Sequence, residues 1–423
     1  MTEHALNRRD FGKFAGMAGA GAVLSACSAE QRAASAGAAA AAPAWKVTGR
    51  ALTGLGGFDA TMKRFMTERG VSAGQLAVVR KGRLLLARGY SYSSDPRFAV
   101  QPTSLFRIAS VSKPITATAV LRLVQDGKLR LTDRVAKLLG LSTAADPRLA
   151  NVTVLHLLQH LGGWDKSLTP DVTWRDLEIA KALNVPLPIK HAHIMRYASA
   201  RKLNHAPGTK PVYCNYGFLL LGRIIEKVTG QSYATYVQRT VLAPRGITRM
   251  RLGRSLTRAP GEVTYDSIHT TPTVLDGSGR KVPFPYGGFS LETHDSQGGW
   301  LSTAVDLVRF AGIYDGGTSV LNATSVGRAF AKPATGVNAD GYYFGAGWMV
   351  RPVKGGLNTW HDGSQPGTST LLVRRFDGLT WAVLFNRRQE GNAPSFGAID
   401  GLLHQAANAV KSWPTGNLYP TYF

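Results

Sequence analysis

Cysteine is nearly absent from this chain. Only Cys27 and Cys214 carry a thiol among 423 residues, which excludes a disulfide-stapled scaffold and any zinc site built from four cysteines. Acidic residues are scarce too: 26 Asp and Glu stand against 50 Lys and Arg, a formal charge of +24. An excess of that size raises the question of a nucleic-acid partner. The arginines are scattered rather than massed, however, and the sequence holds neither a nucleic-acid motif nor a phosphate-cradling glycine loop. No internal apolar stretch approaches the roughly eighteen uncharged residues of a membrane-spanning helix, and no internal repeat is visible. What is plentiful is apolar and turn-forming material, 44% hydrophobic residues with 47 Gly and 21 Pro, the composition of a globular body. At roughly 150 residues per domain, the length allows two or three units or one large domain with insertions.

The N-terminus reads as an address. Asn7-Arg8-Arg9-Asp10-Phe11-Gly12-Lys13 has the twin-arginine signal spacing, and Phe14 to Ala26 is a short, weakly apolar, Gly- and Ala-rich run, as an export h-region should be. Leu24-Ser25-Ala26-Cys27 resembles a bacterial lipobox, in which cleavage before the cysteine leaves Cys27 to be lipidated. Residues 1–26 are therefore expected to be a lipoprotein signal peptide and 27–45 an Ala-rich tether, with the body over 46–416. The signal segment holds few of the charges, so the positive excess belongs to the exported body. Outside the cytoplasm, anionic headgroups and cell-wall polymers are its expected partners rather than nucleic acid, the equal alternative being that the scattered arginines serve no partner. The localisation expected is periplasmic or cell-surface, on a lipid anchor.

Within the body, Gly74 to Tyr92 alternates apolar runs around Lys81-Gly82, a hairpin signal. Thr368 to Arg374 and Leu379 to Phe385 flank Phe376-Asp377-Gly378 in the same manner. Helical periodicity marks Ile115 to Val124, Val154 to Gln159, Gly217 to Val228, Thr303 to Ile313 and Phe396 to Val410. Strands at both ends with helices between predict one sheet joining the N- and C-terminal segments, a helical lobe over about 114–300, and a ligand cleft between them.

The strongest local signal is Ser110-Val111-Ser112-Lys113, followed by Pro114. Proline is tolerated in the first turn of a helix, so the helix must begin near Ser110, with Ser110 and Lys113 on one face at its entrance. A serine hydroxyl needs a neighbouring base to become a nucleophile, and a helix N-terminus offers N–H groups to an oxyanion. Taken alone, Ser-x-x-Lys arises readily in a basic protein as a helix cap beside a solvated charge. Two further segments change its weight. Tyr213-Cys214-Asn215 precedes the helix of Gly217 to Val228, with Tyr213 and Asn215 spaced to share one side of an extended segment. Trp360-His361-Asp362-Gly363-Ser364 precedes the Thr368 strand.

In this order the three segments resemble the serine β-lactamase and penicillin-binding-protein-like superfamily, particularly the group shared by class C β-lactamases, DD-peptidases and related esterases. That resemblance covers about residues 55–410. It implies an α+β fold (an α/β sandwich), with an antiparallel sheet flanked by helices and an inserted helical lobe. It implies Ser110 as the acylated nucleophile, Lys113 and Tyr213 sharing the proton traffic, and Asn215 either bonding the substrate or holding Lys113. His361 takes the place of the third-motif lysine, Gly363 allows close approach, and the Ser364 and Ser110 N–H groups form the oxyanion hole. No cofactor and no metal are implied. His156 and His160 lack the glutamate of a zinc-protease helix and read as structural or as support behind the site, His191 and His193 carry no ligand pattern, and Cys214 reads as a small buried filler ahead of a reactive thiol.

Asp362 departs from the pattern, since relatives that process β-lactams or D-Ala-D-Ala termini commonly carry a hydroxyl there. Two like charges about 4 Å apart repel by up to ~4 kcal/mol at an effective dielectric of 20, up to roughly a thousandfold in binding. Small esters or amides are thus expected as substrates ahead of DD-carboxypeptidase or β-lactamase activity. The third reading is a catalytically silent peptidoglycan-binding lipoprotein that retains the motifs.

Overall fold

Eight strands, paired antiparallel throughout, form the central sheet of the computed structural model. The structure describes residues 42–95 and 97–423; the signal segment and Cys27 lie outside the described residues. In chain order the strands are β1 (Ala44–Ala51), β2 (Ala73–Arg80), β3 (Arg83–Ser93), β4 (Tyr343–Phe344), β5 (Met349–Val353), β6 (Gly356–Gln365), β7 (Thr368–Arg374) and β8 (Leu379–Phe385). They lie in the order β1-β3-β2-β8-β7-β6-β5-β4. The N-terminal hairpin and the C-terminal strands thus meet at β2 and β8, as the two turn signals predict. Lys81 and Gly82 both hold positive φ, +47° and +74°, the pair a two-residue turn of matching twist requires.

Both faces of the sheet are covered. Along β8, Leu379, Trp381, Val383 and Phe385 join one apolar cluster and Ala382 and Leu384 the other, because successive side chains point to opposite faces. The first face packs on α1 (Gly56–Glu68) and α4 (Ala398–Asn408), which also touch each other. The second faces the helical lobe, whose central elements are α2 (Ser112–Gln125) and α3 (Asn215–Thr229). α2 is buried along almost its whole length, so it is the lobe's axis rather than a surface helix.

The predicted helices are present, with shifts of a few residues at their ends. Val154–Leu158 and Ala304–Ala311 sit inside the expected segments. Two boundaries move. β1 takes Ala44 and Trp45, assigned to the tether, because their backbone pairs with Ser93 and Tyr92. Helices continue past 300 to Ala329, and the first of them, Ala304–Ala311, packs on β2 and β8. At the other end Leu418 and Tyr419 are buried beyond the expected limit of 416, and the Leu418 N–H donates to the Leu84 carbonyl at 2.8 Å.

Candidate active site

Ser110 sits where the chain leaves a small three-stranded sheet (Phe106–Arg107, Trp300–Ser302 and Arg251–Leu252). The Ile108 N–H donates to the Trp300 carbonyl at 3.0 Å. One residue later Ala109 takes φ +47°, a left-handed conformation that costs a residue with a Cβ roughly 1–2 kcal/mol. The chain then turns through a 3₁₀ segment, Ala109–Val111, into α2. Ser110 therefore lies in a tight turn just before the α-helix, where residues i and i+3 come close to eclipsing. That geometry brings Lys113 Nζ to 3.0 Å from Ser110 Oγ.

Lys113 is the hub. Its side chain is fully buried, and Nζ also donates to Asn215 Oδ1 at 2.8 Å and to the Gln297 carbonyl at 2.8 Å. Both of those oxygens can only accept. With two N–H bonds committed to them, the third tetrahedral direction of Nζ points at Ser110 Oγ. Burial, above all, brings Lys113 down from 10.5 to about 7, while the carboxylates of Asp171 and Asp362 pull it upward. At neutral pH a large fraction is the free amine, whose lone pair can take the Ser110 proton along that third direction.

The Tyr213-Cys214-Asn215 segment meets this hub as its alternation predicts. Cys214 is extended at φ −135° and ψ 116°, so Tyr213 and Asn215 reach the Lys113 side while Cys214 is buried. Lys113 Nζ lies 4.8 Å from the centroid of the Tyr213 ring, and the Tyr213 hydroxyl shares a hydrogen bond with Ser110. Burial holds that phenol well above 10, so it keeps its proton. Asn215 donates its amide to Asp171 Oδ2 at 2.8 Å. Its Oδ1 holds Lys113, one of its two expected roles. Burial also pushes the Cys214 thiol up to about 12, as suits an inert filler.

The third segment lies on β6, whose alternation buries His361, Gly363 and Gln365 and exposes Asp362 and Ser364. A Cβ on Gly363 would stand 2.5 Å from the Ile108 carbonyl and 3.1 Å from the Ser110 nitrogen. Only glycine lets the strand run this close to the turn. The pairing β6 makes with β5 stops at Trp360, so residues 361–365 form a free edge beside Ser110. His361 is 2% exposed, its ring centroid is 6.0 Å from that of Tyr213, and Nδ1–H donates to the Asp362 carbonyl at 2.5 Å. Burial, ahead of the opposing pull of Asp362, brings it down to about 4; it is neutral at pH 7. The register corrects the expectation for Asp362. It pairs with Leu371, on the α1–α4 face, whereas His361 pairs with Leu372 on the lobe face. Its carboxylate reaches the site through its field rather than by facing the substrate beside His361.

Three supporting residues escaped sequence reasoning, and a fourth, His160, takes the supporting place open to it. Gln297 contributes a backbone carbonyl, a group any residue could supply, so nothing in its identity announces it. Its position is fixed by Thr116, which donates to the neighbouring Ser296 carbonyl at 2.6 Å. Asp171 holds Asn215 while its other oxygen accepts from the N–H and hydroxyl of Thr173. His160, with φ +58°, accepts the Cys214 N–H at 3.1 Å and lies against Tyr213, ring centroids 4.6 Å apart. Phe344, on β4, closes the same aromatic group, 4.8 Å from His160 and 6.2 Å from Tyr213. His156 closes a capping box with Thr153, and His191 lies between Arg223 and Asp295. Among the described residues no three His, Cys, Asp or Glu side chains gather into a metal-holding cluster.

The family model named Beta-lactamase matches residues 58–403. The chain belongs to that family. A relative within it is penicillin-binding protein 4 of Amycolatopsis lactamdurans, 30% identical over 76% of this chain and 82% of its own length. A penicillin-binding protein of Bacillus subtilis (strain 168) is 28% identical over 71% of this chain and 64% of its own length. Against Protein flp of Staphylococcus aureus (strain COL) the match spans only 42% of the relative. Among solved structures, the octameric penicillin-binding protein homologue from Pyrococcus abyssi superposes with a TM-score of 0.63 at 25% identity, covering 84% of this chain and 77% of that one. The D-amino acid amidase of Ochrobactrum anthropi SV3 shares the fold, with a TM-score of 0.63 at 22% identity over 85% of this chain and 98% of that one. This beta-lactamase-family chain is accordingly a serine hydrolase with the β-lactamase/transpeptidase-like fold.

Proposed function

We propose that this hydrolase acts through an acyl-enzyme on Ser110, cleaving small esters or amides. The observation that carries the reading is the buried Lys113 amine, held by two pure acceptors so that its remaining direction meets Ser110 Oγ at 3.0 Å. Lys113 takes the serine proton as Oγ attacks the acyl carbon. The Ser110 and Ser364 N–H groups receive the oxyanion. Tyr213, a phenol bonded to Ser110, passes a proton to the leaving group and recovers it from the amine, and water later releases the acyl group by the reverse path. With His361 neutral, the third segment offers no cation to a substrate carboxylate. This favours groups without charge at that edge over penicillins or peptide C-termini.

Labelling of the intact protein by a fluorescent fluorophosphonate tests the assignment. Wild type should label and Ser110→Ala should not; an unlabelled wild type that turns over no ester sinks it. The named relatives favour a second reading, hydrolysis of penicillins or D-Ala-D-Ala peptides, and stable acylation by a fluorescent penicillin would establish it. Hydrolysis of no acyl substrate, with cell-wall binding unchanged in Ser110→Ala, would leave the silent peptidoglycan-binding protein. The Arg8-Arg9 segment and Cys27 support export and lipid anchoring; detergent-phase partitioning lost in Cys27→Ser checks this, and partitioning retained there contradicts it.

A further inference from the structure

Tyr213 and Cys214 also line a pocket between the loop that follows the Val154–Leu158 helix and residues 198–204. Its walls include Trp164, Lys166, Thr169, Arg201, Lys202 and Tyr213. Two carboxylates, Asp165 and Asp171, also line it, and both are engaged. Asp165 accepts from Ser167, His205 and Lys210, and Asp171 from Asn215 and Thr173. Asp165 is offset by Lys210, while Asp171 keeps its charge among neutral donors; Lys166, Arg201 and Lys202 are exposed, and none forms an ion pair among the described residues. Arg201 lies over the Tyr197 ring and donates to the Tyr197 carbonyl. Lys166 Nζ stands 5.4 Å from the centroid of the Tyr213 ring, the ring whose hydroxyl is bonded to Ser110. The pocket therefore joins aromatic walls to a rim on which three cations outnumber two carboxylates, one tyrosine ring away from Ser110. At the third segment, by contrast, the side chain on the lobe face is a neutral imidazole.

We propose that this pocket receives an anionic group of the substrate, a carboxylate on a short apolar arm, with Lys166 as its principal contact. The inference rests on Ser110 being the nucleophile, and it makes the enzyme selective for substrates whose charge lies on the Tyr213 side of the scissile bond. A partly desolvated ammonium–carboxylate contact gives roughly a tenfold preference, which weakens as salt screens it.

Two ester pairs test it, each an acid against its own methyl ester. One pair carries the carboxylate on the acyl side (mono-p-nitrophenyl glutarate) and the other on the leaving group (4-acetoxybenzoate). One acid should exceed its methyl ester in kcat/KM by about tenfold at low salt, which also identifies the side that enters the pocket. Lys166→Gln should bring that ratio close to one, and Lys166→Glu should invert it. Both residues suit an exposed loop, so a folding failure is not expected to obscure the result. Ratios at or below one for both wild-type pairs, or a preference that survives Lys166→Gln, overturn the inference while leaving the hydrolase reading intact. A turnover-independent arm is calorimetric titration of 4-phenylbutyrate into Ser110→Ala. Saturable binding should weaken about tenfold when Lys166→Gln is added, and no saturable binding overturns the pocket even where esters are cleaved. Absence of turnover together with absence of fluorophosphonate labelling refutes the Ser110 assignment itself, and the inference with it.

Discussion

At the scale of single residues, the site is governed by where one proton resides. Lys113 binds its proton below about 7 in the folded chain and below its ordinary 10.5 when unfolded. Acylation should therefore climb about tenfold per pH unit below 7 and level off above it, as single-turnover rates across pH 5–9 would show; a flat profile would remove Lys113 as the base. The sign for stability follows from the same pair of values. Between about 7 and 10.5 the unfolded chain binds more protons, so this group's contribution to folding becomes more favourable as pH rises through that window. Asp362 adds a finer check. Its charge favours the ammonium form of Lys113, so Asp362→Asn should move the acid limb to lower pH. At roughly 10 Å in a solvent-exposed setting the interaction is near 0.4 kcal/mol, a displacement of about 0.3 pH unit. Movement toward higher pH would contradict the assignment.

How much could be read beforehand also divides by residue. Ser110, Lys113, Tyr213 and Asn215 were legible because it is their side chains that meet and their spacings fix their mutual direction. Gln297 and Asp171 were not. One acts through its backbone, and the other is 44 residues from the asparagine it holds, a distance over which no spacing rule operates. The left-handed Ala109 was equally hidden, since alanine carries no sign of a conformation that tertiary packing imposes.

Among the elements, helices were legible wherever one apolar face repeats, and the two hairpins wherever a Gly-containing turn separates apolar runs. β1 escaped because none of its residues is fully buried, half being exposed and half at intermediate depth, which leaves no clean alternation. β4 and β5 are short pieces in turn-rich sequence. β6 was recognised through its motif rather than its pattern, yet it is the element on which the cleft depends. Gly363→Ala would drive a methyl into the Ile108 carbonyl and the Thr370 hydroxyl, and the strand would have to withdraw from Ser110. A displacement near 1 Å at the oxyanion donors corresponds to a loss of about a hundredfold in acylation. Circular dichroism should stay native, and unchanged kinetics in Gly363→Ala would show that the close approach is unnecessary.

For the whole molecule, the sequence led to one body where length alone allowed two or three, because the strands of the two chain ends share a sheet. The closing segment belongs to that body. Leu418 and Tyr419 are buried, Arg249 donates to the Tyr422 carbonyl at 2.9 Å, and Arg249 and Arg309 both cover the Phe423 ring. Deleting residues 417–423 should destabilise the fold by about 3–5 kcal/mol, the range for removing a large buried side chain together with its neighbours. The loss is readable as a lower urea midpoint; an unchanged midpoint would mean the segment only covers the surface.

The strand order has one more consequence. The chain enters the sheet along β1, at one outer edge, whereas the cleft lies along β6, five strands away. At about 4.8 Å per strand that is a lateral offset of roughly 24 Å. Material joined ahead of Ala44, whether a lipid, a purification handle or a solid support, thus meets the protein on the flank remote from its mouth. An immobilised form attached there would leave the cleft open to bulky polymeric substrates.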